Sequence, residues 1–364
     1  MNLDGLLLRR LVFVLGPGGA GKTSLSAALG LLAATRGRRA LVLTLDPARR
    51  LAESLMISGG ERRFSPEELQ AQGIPARAPL EAALFDPRRG WGDLLAREVP
   101  DLEARRRLLS HPFFGRLSED LAGSREYAAL AEILALHHGG RFDLIILDTP
   151  PSAHGLDFLD AAEKVLSVLD HDALDWVMLP VRLARRAGRL PSWTSGYLVR
   201  TLARFTGMAF LEELAAFLDL GTLLLPRVRE RAAQLRAVLQ SADSAFVLVT
   251  RPGEGPAAEC LDLLSAVTRR ARRPEVVIVN RLTPAATIPA DAGLDEATRA
   301  GVERVLRVLS PIAAREREIV ARLSAGLPSG VSLVQVPAIP GEIADLAGLG
   351  RLLRELQRRW REAT

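Results

Sequence analysis

The sequence predicts an α/β protein built on a doubly wound, mainly parallel sheet. Short apolar runs recur along the 364 residues and alternate with longer segments of helical spacing, which is the pattern of strands connected by crossover helices. The first run leads through a glycine-rich loop directly into a segment compatible with a helix. Several runs end in a polar residue, which places such side chains together at the carboxyl edge of a parallel sheet.

Seven apolar runs are the candidate strands, because they are short and bounded by loop-forming residues. They are residues 11–15, 39–46, 80–86, 142–148, 245–250, 275–280 and 331–336. The remaining pattern predicts helices over residues 22–35, 48–56 and 91–138, the last interrupted by prolines. Residues 57–80 are rich in Gly, Pro, Gln and charge, so we expect a loop with one helical turn there.

The stretch 155–240 has no strand pattern, and its apolar residues recur at helical spacing. We therefore expect a single domain over residues 1–364 in which 155–240 form a helical insertion. The tail 346–364 carries leucines on one side and arginines on the other. We expect this helix to cover the sheet, as a single apolar stripe indicates; the alternative is that its basic side lies on an acidic membrane surface.

Composition and charge exclude several classes of protein. The hydrophobic fraction of 48% and the formal net charge of +5 describe an ordinary globular chain. Its arginines are scattered along the sequence, so the charge does not indicate nucleic-acid binding. One cysteine, Cys260, excludes an internal disulfide and a multi-cysteine metal site. There is neither a signal-peptide pattern nor an apolar run of membrane-spanning length, so we expect a cytoplasmic protein. We also expect His137 and His138 at a solvated helix end.

The glycine-rich loop has the spacing G-x-x-x-x-G-K-T over residues 16–23. Backbone N–H groups of such a loop close around phosphate oxygens, and the following helix N-terminus favours the same charge. Lys22 can reach the β- and γ-phosphates of a nucleotide, and the Thr23 hydroxyl suits a bridging Mg²⁺. The only other lysine of the chain is Lys164.

Two acidic residues follow apolar runs that are expected to end at the same edge. Asp46 closes the second run and Asp148 closes the fourth. In an open α/β sheet the ligand lies beyond the carboxyl ends of the strands, where the glycine loop also begins. Asp148 is therefore the candidate acid for holding Mg²⁺, directly or through water.

Three segments together resemble the ArsA-like ATPases, which include the arsenite-pump and tail-anchored-protein targeting ATPases and belong with MinD and ParA. Residues 16–23 are similar to the family's deviant Walker A motif. Residues 46–53 (DPARRLAE) resemble its switch I, and residues 148–159 (DTPPSAHGLDFL) resemble its switch II in the bacterial branch. The resemblance implies a P-loop fold that binds ATP and Mg²⁺ at a dimer interface. Switch II would couple the nucleotide state to a helical cargo-binding subdomain.

The resemblance also assigns roles to individual residues. The implied nucleotide contacts are Gly18, Gly19, Ala20, Gly21, Lys22, Thr23, Ser24, Glu259, Asn280 and Pro337, with Asn280 reading adenine and Pro337 in the loop that covers it. The implied metal residues are Thr23, Asp46 and Asp148. The implied catalytic residues are Lys22, Asp46 and Glu53, the last orienting the attacking water.

Two positions depart from the family pattern. Pro17 stands where the family has a lysine that reaches the partner's phosphates, and Glu53 stands where it has aspartate. These departures leave two functions open: a self-sufficient ATPase working as a dimer, or a weakly hydrolysing regulatory subunit paired with a paralogue that supplies the lysine. A third alternative is a ParA/MinD-type positioning protein. The family's zinc-binding cysteine pair is absent, so we expect no zinc bridge.

Overall fold

The computed structural model describes residues 3–45, 60–111, 114, 123–151, 158–161, 164, 225–284, 293, 295–341, 343 and 345–363. The chain divides into two compact units. The first contains Met1–Phe85, Leu136–Leu159 and Val238–Thr364, and the second contains Asp86–Ala135 and Asp160–Ala237. The expectation of one domain with a 155–240 insertion stays a prediction, because most of that stretch lies outside the described residues.

Within the described residues, the first unit contains an eight-stranded sheet. In chain order its strands are β1 Leu11–Leu15, β2 Ala40–Thr44, β3 Glu61–Phe64, β4 Leu80–Leu84, β5 Leu144–Asp148, β6 Ser244–Thr250, β7 Val276–Leu282 and β8 Ser332–Pro337. Across the sheet they follow the order β3-β4-β2-β5-β1-β6-β7-β8. All neighbours are parallel except β3 and β4. The predicted α/β class with a mainly parallel sheet is confirmed.

Strand β1 lies at the centre of the sheet, between β5 and β6, and all five of its residues are buried. A parallel strand covered on both faces has a continuous apolar sequence, which is why this run is so easily recognised. Val12 and Val14 belong to the main core. On the other face Phe13 stacks on Phe246, with ring centroids 5.0 Å apart. The glycine loop therefore starts from a central strand that is buried along its whole length.

Helices follow most of the strands. They are α1 Leu3–Leu7, α2 Lys22–Thr35, α3 Pro66–Ala71, α4 Pro87–Glu98, α5 Leu102–Ser110, α6 Ser124–Gly139, α7 Leu225–Gln240, α8 Glu254–Arg270, α9 Glu296–Gly326 and α10 Leu346–Ala363. Helix α10 contacts α2 and β8 and buries Leu352, Leu356 and Trp360. Its expected role as a covering helix is confirmed. In the part of the chain that the structure describes, no helix is both long and apolar enough to cross a membrane.

Strand β3 differs from the sequence-based expectation. Residues 57–80 were expected to form a loop with a helical turn, and α3 supplies that turn, but Glu61–Phe64 pairs antiparallel with β4 at the edge of the sheet. Its sequence, ERRF, has one buried residue, Phe64. An edge strand needs no continuous apolar run, and charged side chains are common there. The sequence of β3 therefore does not have the apolar pattern by which the other strands were predicted.

The second unit is helical in its described part. Trp91 of α4 donates a hydrogen bond to Ser124 Oγ at 3.1 Å and lies edge-on to Phe114. The Tyr127 hydroxyl donates to the carbonyl of Val228 at 3.5 Å, and burial raises the pKa of Tyr127 well above its ordinary value. These contacts tie α4, α6 and α7 together around aromatic side chains.

Candidate functional site

The glycine loop closes in a conformation that two of its glycines make possible. Gly16 has φ +152°, and a Cβ there would lie 2.0 Å from the carbonyl oxygen of Val249 on β6. Gly21 has φ +93°, and its Cβ would lie 2.3 Å from Asn280 Nδ2. Any larger residue would therefore clash with the two strands on that side of β1. Between them Gly18 and Gly19 are exposed, so their backbone faces solvent.

Lys22 begins α2, and its side chain is buried against the loop that precedes it. Its ammonium donates hydrogen bonds to the carbonyls of Gly16, at 3.0 Å, and Pro17, at 3.2 Å. Only 6% of the residue is exposed. A buried ammonium is therefore fixed beside the loop, at the helix terminus that attracts anions.

Asp148, at the end of β5, is fully buried and is the acceptor for two hydroxyl groups. Thr23 Oγ1 donates to Asp148 Oδ2 at 2.8 Å, and Thr44 Oγ1 donates to the same oxygen at 2.9 Å. The register of β2 against β5 places Thr44 directly opposite Asp148. A carboxylate and a hydroxyl side by side are hard oxygen ligands of the kind that Mg²⁺ prefers. The residues present therefore fit this ion.

Asn280, on β7, reaches the glycine loop from the other side. Its Nδ2 donates to the carbonyl of Ala20 at 2.9 Å, and its Oδ1 accepts from the N–H of Arg281 at 3.0 Å. The residue is 6% exposed. A side chain 260 positions away in sequence thus contacts the loop directly. Each of the two amide atoms keeps further hydrogen-bonding capacity.

The other predicted site residues have the following positions. Ser24 lies half-buried in the first turn of α2, and Pro337 lies half-buried at the end of β8. Glu259 is exposed on α8. Asp46 and Glu53 lie outside the described residues, so their roles stay predictions. The roles assigned to the other residues also stay predictions, although their positions bring Lys22, Thr23 and Asp148 together.

Pro17 is buried. Its side chain carries no charge and is covered by the chain's own atoms. Its carbonyl instead accepts the hydrogen bond from Lys22. A buried proline thus stands at the position where the resemblance places a lysine.

Sequence analysis missed Thr44 and Thr149. Thr149 Oγ1 donates to the carbonyl of Val14 at 2.8 Å and so holds the end of β5 against β1. The signal for Thr44 was a hydroxyl near the end of an otherwise apolar run, two residues before Asp46. The apolar run predicts a strand that ends at residue 46, whereas β2 ends at Thr44.

Comparison with known proteins agrees with this geometry. The family model described as anion-transporting ATPase matches residues 9–184. Over this segment, just under half of the chain, the sequence is similar to the ArsA-like ATPases. This match includes the glycine loop, Lys22 and Asp148, and the suspected resemblance is thereby confirmed.

The individual relatives of this chain are distant. An ATPase ASNA1 homolog of Entamoeba histolytica is 29% identical over 44% of this chain and 50% of the relative. ATPase GET3 of Pyricularia oryzae is 30% identical over 51% of this chain and 54% of the relative. An uncharacterized Streptomyces coelicolor protein is 28% identical over 78% and 65%, respectively. The chain thus spans about half to two thirds of the length of these relatives.

Proposed function

We propose that this chain is a Mg²⁺- and ATP-dependent switch ATPase that binds its nucleotide at a dimer interface. The observation that carries the proposal is the meeting of three features at one loop. Lys22 lies on it, the pair Thr23 and Asp148 lies beside it, and Asn280 contacts it from β7. The family consists of ATPases, which supports the reaction class.

The phosphate end of the proposed site is formed by Gly18, Gly19 and Lys22. The exposed glycine backbone presents N–H groups, and the ammonium neutralises the β- and γ-phosphates once it exchanges the carbonyls of Gly16 and Pro17 for phosphate oxygens. Thr23 and Asp148 would hold Mg²⁺, which supplies charge neutralisation of the phosphates when bound. Thr44 keeps the Asp148 carboxylate aimed at that position.

The base end is assigned to Asn280. The contacts with Ala20 and Arg281 use one N–H and one oxygen lone pair of the Asn280 amide. Among the described contacts, the second N–H and the second lone pair are left to bind a ligand. This donor and acceptor pair matches the N7 and N6 groups of adenine, a bidentate pairing that asparagine makes well. Guanine and hypoxanthine carry an oxygen in place of the N6 amine. They can therefore form only one of the two hydrogen bonds with the Asn280 amide, the one to N7.

Hydrolysis would use Glu53 to orient the attacking water and Asp46 to support the metal shell. A partner or cargo would bind the helical part of the chain, and switch II would report loss of the γ-phosphate to it. The names of the relatives, GET3 and ASNA1 homolog, support a search for protein cargo. These steps rest on the family resemblance.

Calorimetry with Mg²⁺ and ATP tests the proposal. We expect binding of ATP that weakens when Mg²⁺ is removed, and light scattering should show whether the nucleotide-bound chain is a dimer. No heat of association from a folded sample would contradict the nucleotide site itself.

The burial of Pro17 favours a second candidate. A regulatory subunit would bind ATP yet hydrolyse it slowly, and a paralogue would supply the missing cation. In comparable systems an arginine supplied in trans raises the rate by about 10³–10⁵. Turnover of the purified chain distinguishes the two candidates: fast hydrolysis by the chain alone would exclude the subunit function, whereas stimulation by an added paralogue would support it.

A further inference from the structure

Thr283, three residues after Asn280, is bound by a carboxylate from α9. Its backbone N–H donates to Glu316 Oε2 at 2.6 Å, and its hydroxyl donates to Glu316 Oε1 at 3.1 Å. Both residues are half-buried. One carboxylate thus accepts both donors of Thr283, and it comes from a helix 33 positions further along the chain.

The chain between Asn280 and Thr283 contains a β-bulge. Asn280 pairs with Val336 and Leu282 pairs with Pro337, so two steps on β7 match one step on β8. The extra residue, Arg281, has φ 63°, the only positive φ among the described residues that are not glycine. A left-handed non-glycine residue persists only where its surroundings hold it there.

The bulge determines where the Asn280 amide points. The N–H of Arg281 donates to Asn280 Oδ1, so the conformation of Arg281 fixes that amide oxygen. The bulge is in turn held on its far side by two contacts: the N–H of Ala338 donates to the carbonyl of Leu282 at 2.8 Å, and Glu316 holds Thr283. Bulges beside a site commonly redirect a side chain in this way.

We propose that Glu316 is a positioning residue for the base end of the nucleotide site. The inference rests on the proposed ATP binding and adds to it the source of base selectivity. Glu316 fixes Thr283, the bulge at Arg281 is thereby maintained, and Asn280 presents its remaining donor and acceptor to adenine. Without the carboxylate the Thr283 N–H has no acceptor at this place, and the bulge can relax into a regular ladder.

The test compares three probes on the full chain in the presence of Mg²⁺. ATP engages both ends of the site, inosine triphosphate lacks the N6 amine, and tripolyphosphate engages only the phosphate end. For Glu316→Ala we expect ATP affinity to fall about tenfold, which corresponds to loss of one bidentate base pairing. The preference for ATP over inosine triphosphate should be lost, while tripolyphosphate affinity should change by less than about twofold.

Two matched variants separate positioning from general damage. Glu318→Ala removes the same charge from an exposed position on α9 and should leave all three affinities unchanged. Glu316→Gln keeps an acceptor for the Thr283 N–H and can donate to its hydroxyl, so it should restore most of the preference for ATP. Thermal unfolding of each variant verifies that it is folded, and Thr283→Val, which removes one of the two contacts, should give a smaller loss of preference.

The outcomes distinguish this inference from the proposed function. Equal weakening of all three probes by Glu316→Ala, or an unchanged ratio of ATP to inosine triphosphate affinity, would overturn the role of Glu316 while ATP binding stands. Absence of ATP binding by the unmodified chain would overturn the proposed function and this inference together.

Discussion

The two ends of the candidate nucleotide site are constructed differently. At the phosphate end, residues 16–23 supply the loop and the ammonium from one contiguous segment, and short contacts from neighbouring strands complete it. At the base end, separate segments meet: the loop at Ala20, the bulge after Asn280, and Glu316 on α9. A contiguous segment specifies its geometry locally, whereas the base end exists only after β7 and α9 have packed. Phosphate affinity and base selectivity should therefore respond to different substitutions.

The largest expected effect is that of Lys22→Ala. Removal of the ammonium deletes charge-assisted hydrogen bonds to the phosphates, each worth about 1.5–3 kcal/mol, so ATP affinity should fall about 100-fold. Inosine triphosphate affinity should fall equally, since this residue acts only at the phosphate end. Calorimetry measures both, with Lys164→Ala as the control that removes the other lysine. A loss confined to ATP would contradict the division between the two ends.

Asp148→Asn should have a smaller effect, confined to the metal. Asparagine keeps an acceptor for Thr23 and Thr44 but lacks the charge that attracts Mg²⁺, so the strengthening of ATP binding by Mg²⁺ should decrease about tenfold. Affinity measured without Mg²⁺ should change little. Asp262→Asn, an exposed change on α8, is the control. Undiminished dependence on Mg²⁺ would remove Asp148 from the proposed site.

Asn280→Ala tests the base end. It should reduce the preference for ATP over inosine triphosphate by at least about fivefold, because one bidentate pairing contributes about 1–3 kcal/mol. Tripolyphosphate affinity should stay close to that of the unmodified chain. Gln335→Ala removes an exposed amide from neighbouring β8 and should change neither quantity. If the preference survived in Asn280→Ala, another group would have to read the base.

The smallest effect concerns the amino edge of the sheet, where His137 is buried. Burial is the main cause that lowers the pKa of His137, and the positive charge of Arg10 lowers it further. Asp243 raises this pKa, whereas His138 lowers it slightly more. The unfolded chain therefore binds this proton more readily, so the free energy of unfolding should fall as pH decreases below the ordinary histidine value of 6.5. The contribution is fully present above that pH.

Urea titrations from pH 7.5 to 5.5 measure this dependence. His137→Leu should flatten it, whereas His138→Leu, at an exposed position, should not. The ratio of ATP to inosine triphosphate affinity should stay constant over the same range, because His137 lies at the edge of the sheet opposite the site. A steeper loss of stability in His137→Leu would contradict the assigned sign.

The features that the sequence predicted correctly are those that a short segment determines by itself. Buried parallel strands such as β1 and β5 are continuous apolar runs, and the spacing of the glycine loop anticipates the position of Lys22 and Thr23 beside Asp148. The expectation of a solvated His137 was wrong, because helical spacing does not show which side of a helix end another segment covers. The bulge at Arg281 and the Glu316 contact depend on the packing of α9, and no short-range pattern contains that information.

The packing of α10 has a consequence for how the chain matures. The helix that begins at Lys22 contacts α10, and Trp360 near the end of α10 is almost completely buried. During synthesis the glycine loop emerges before α10, and its helix cannot complete its hydrophobic contacts until residues 346–363 have been translated. If the proposed ATP site forms, a nascent chain that has not yet released α10 should therefore bind ATP more weakly than the full sequence does.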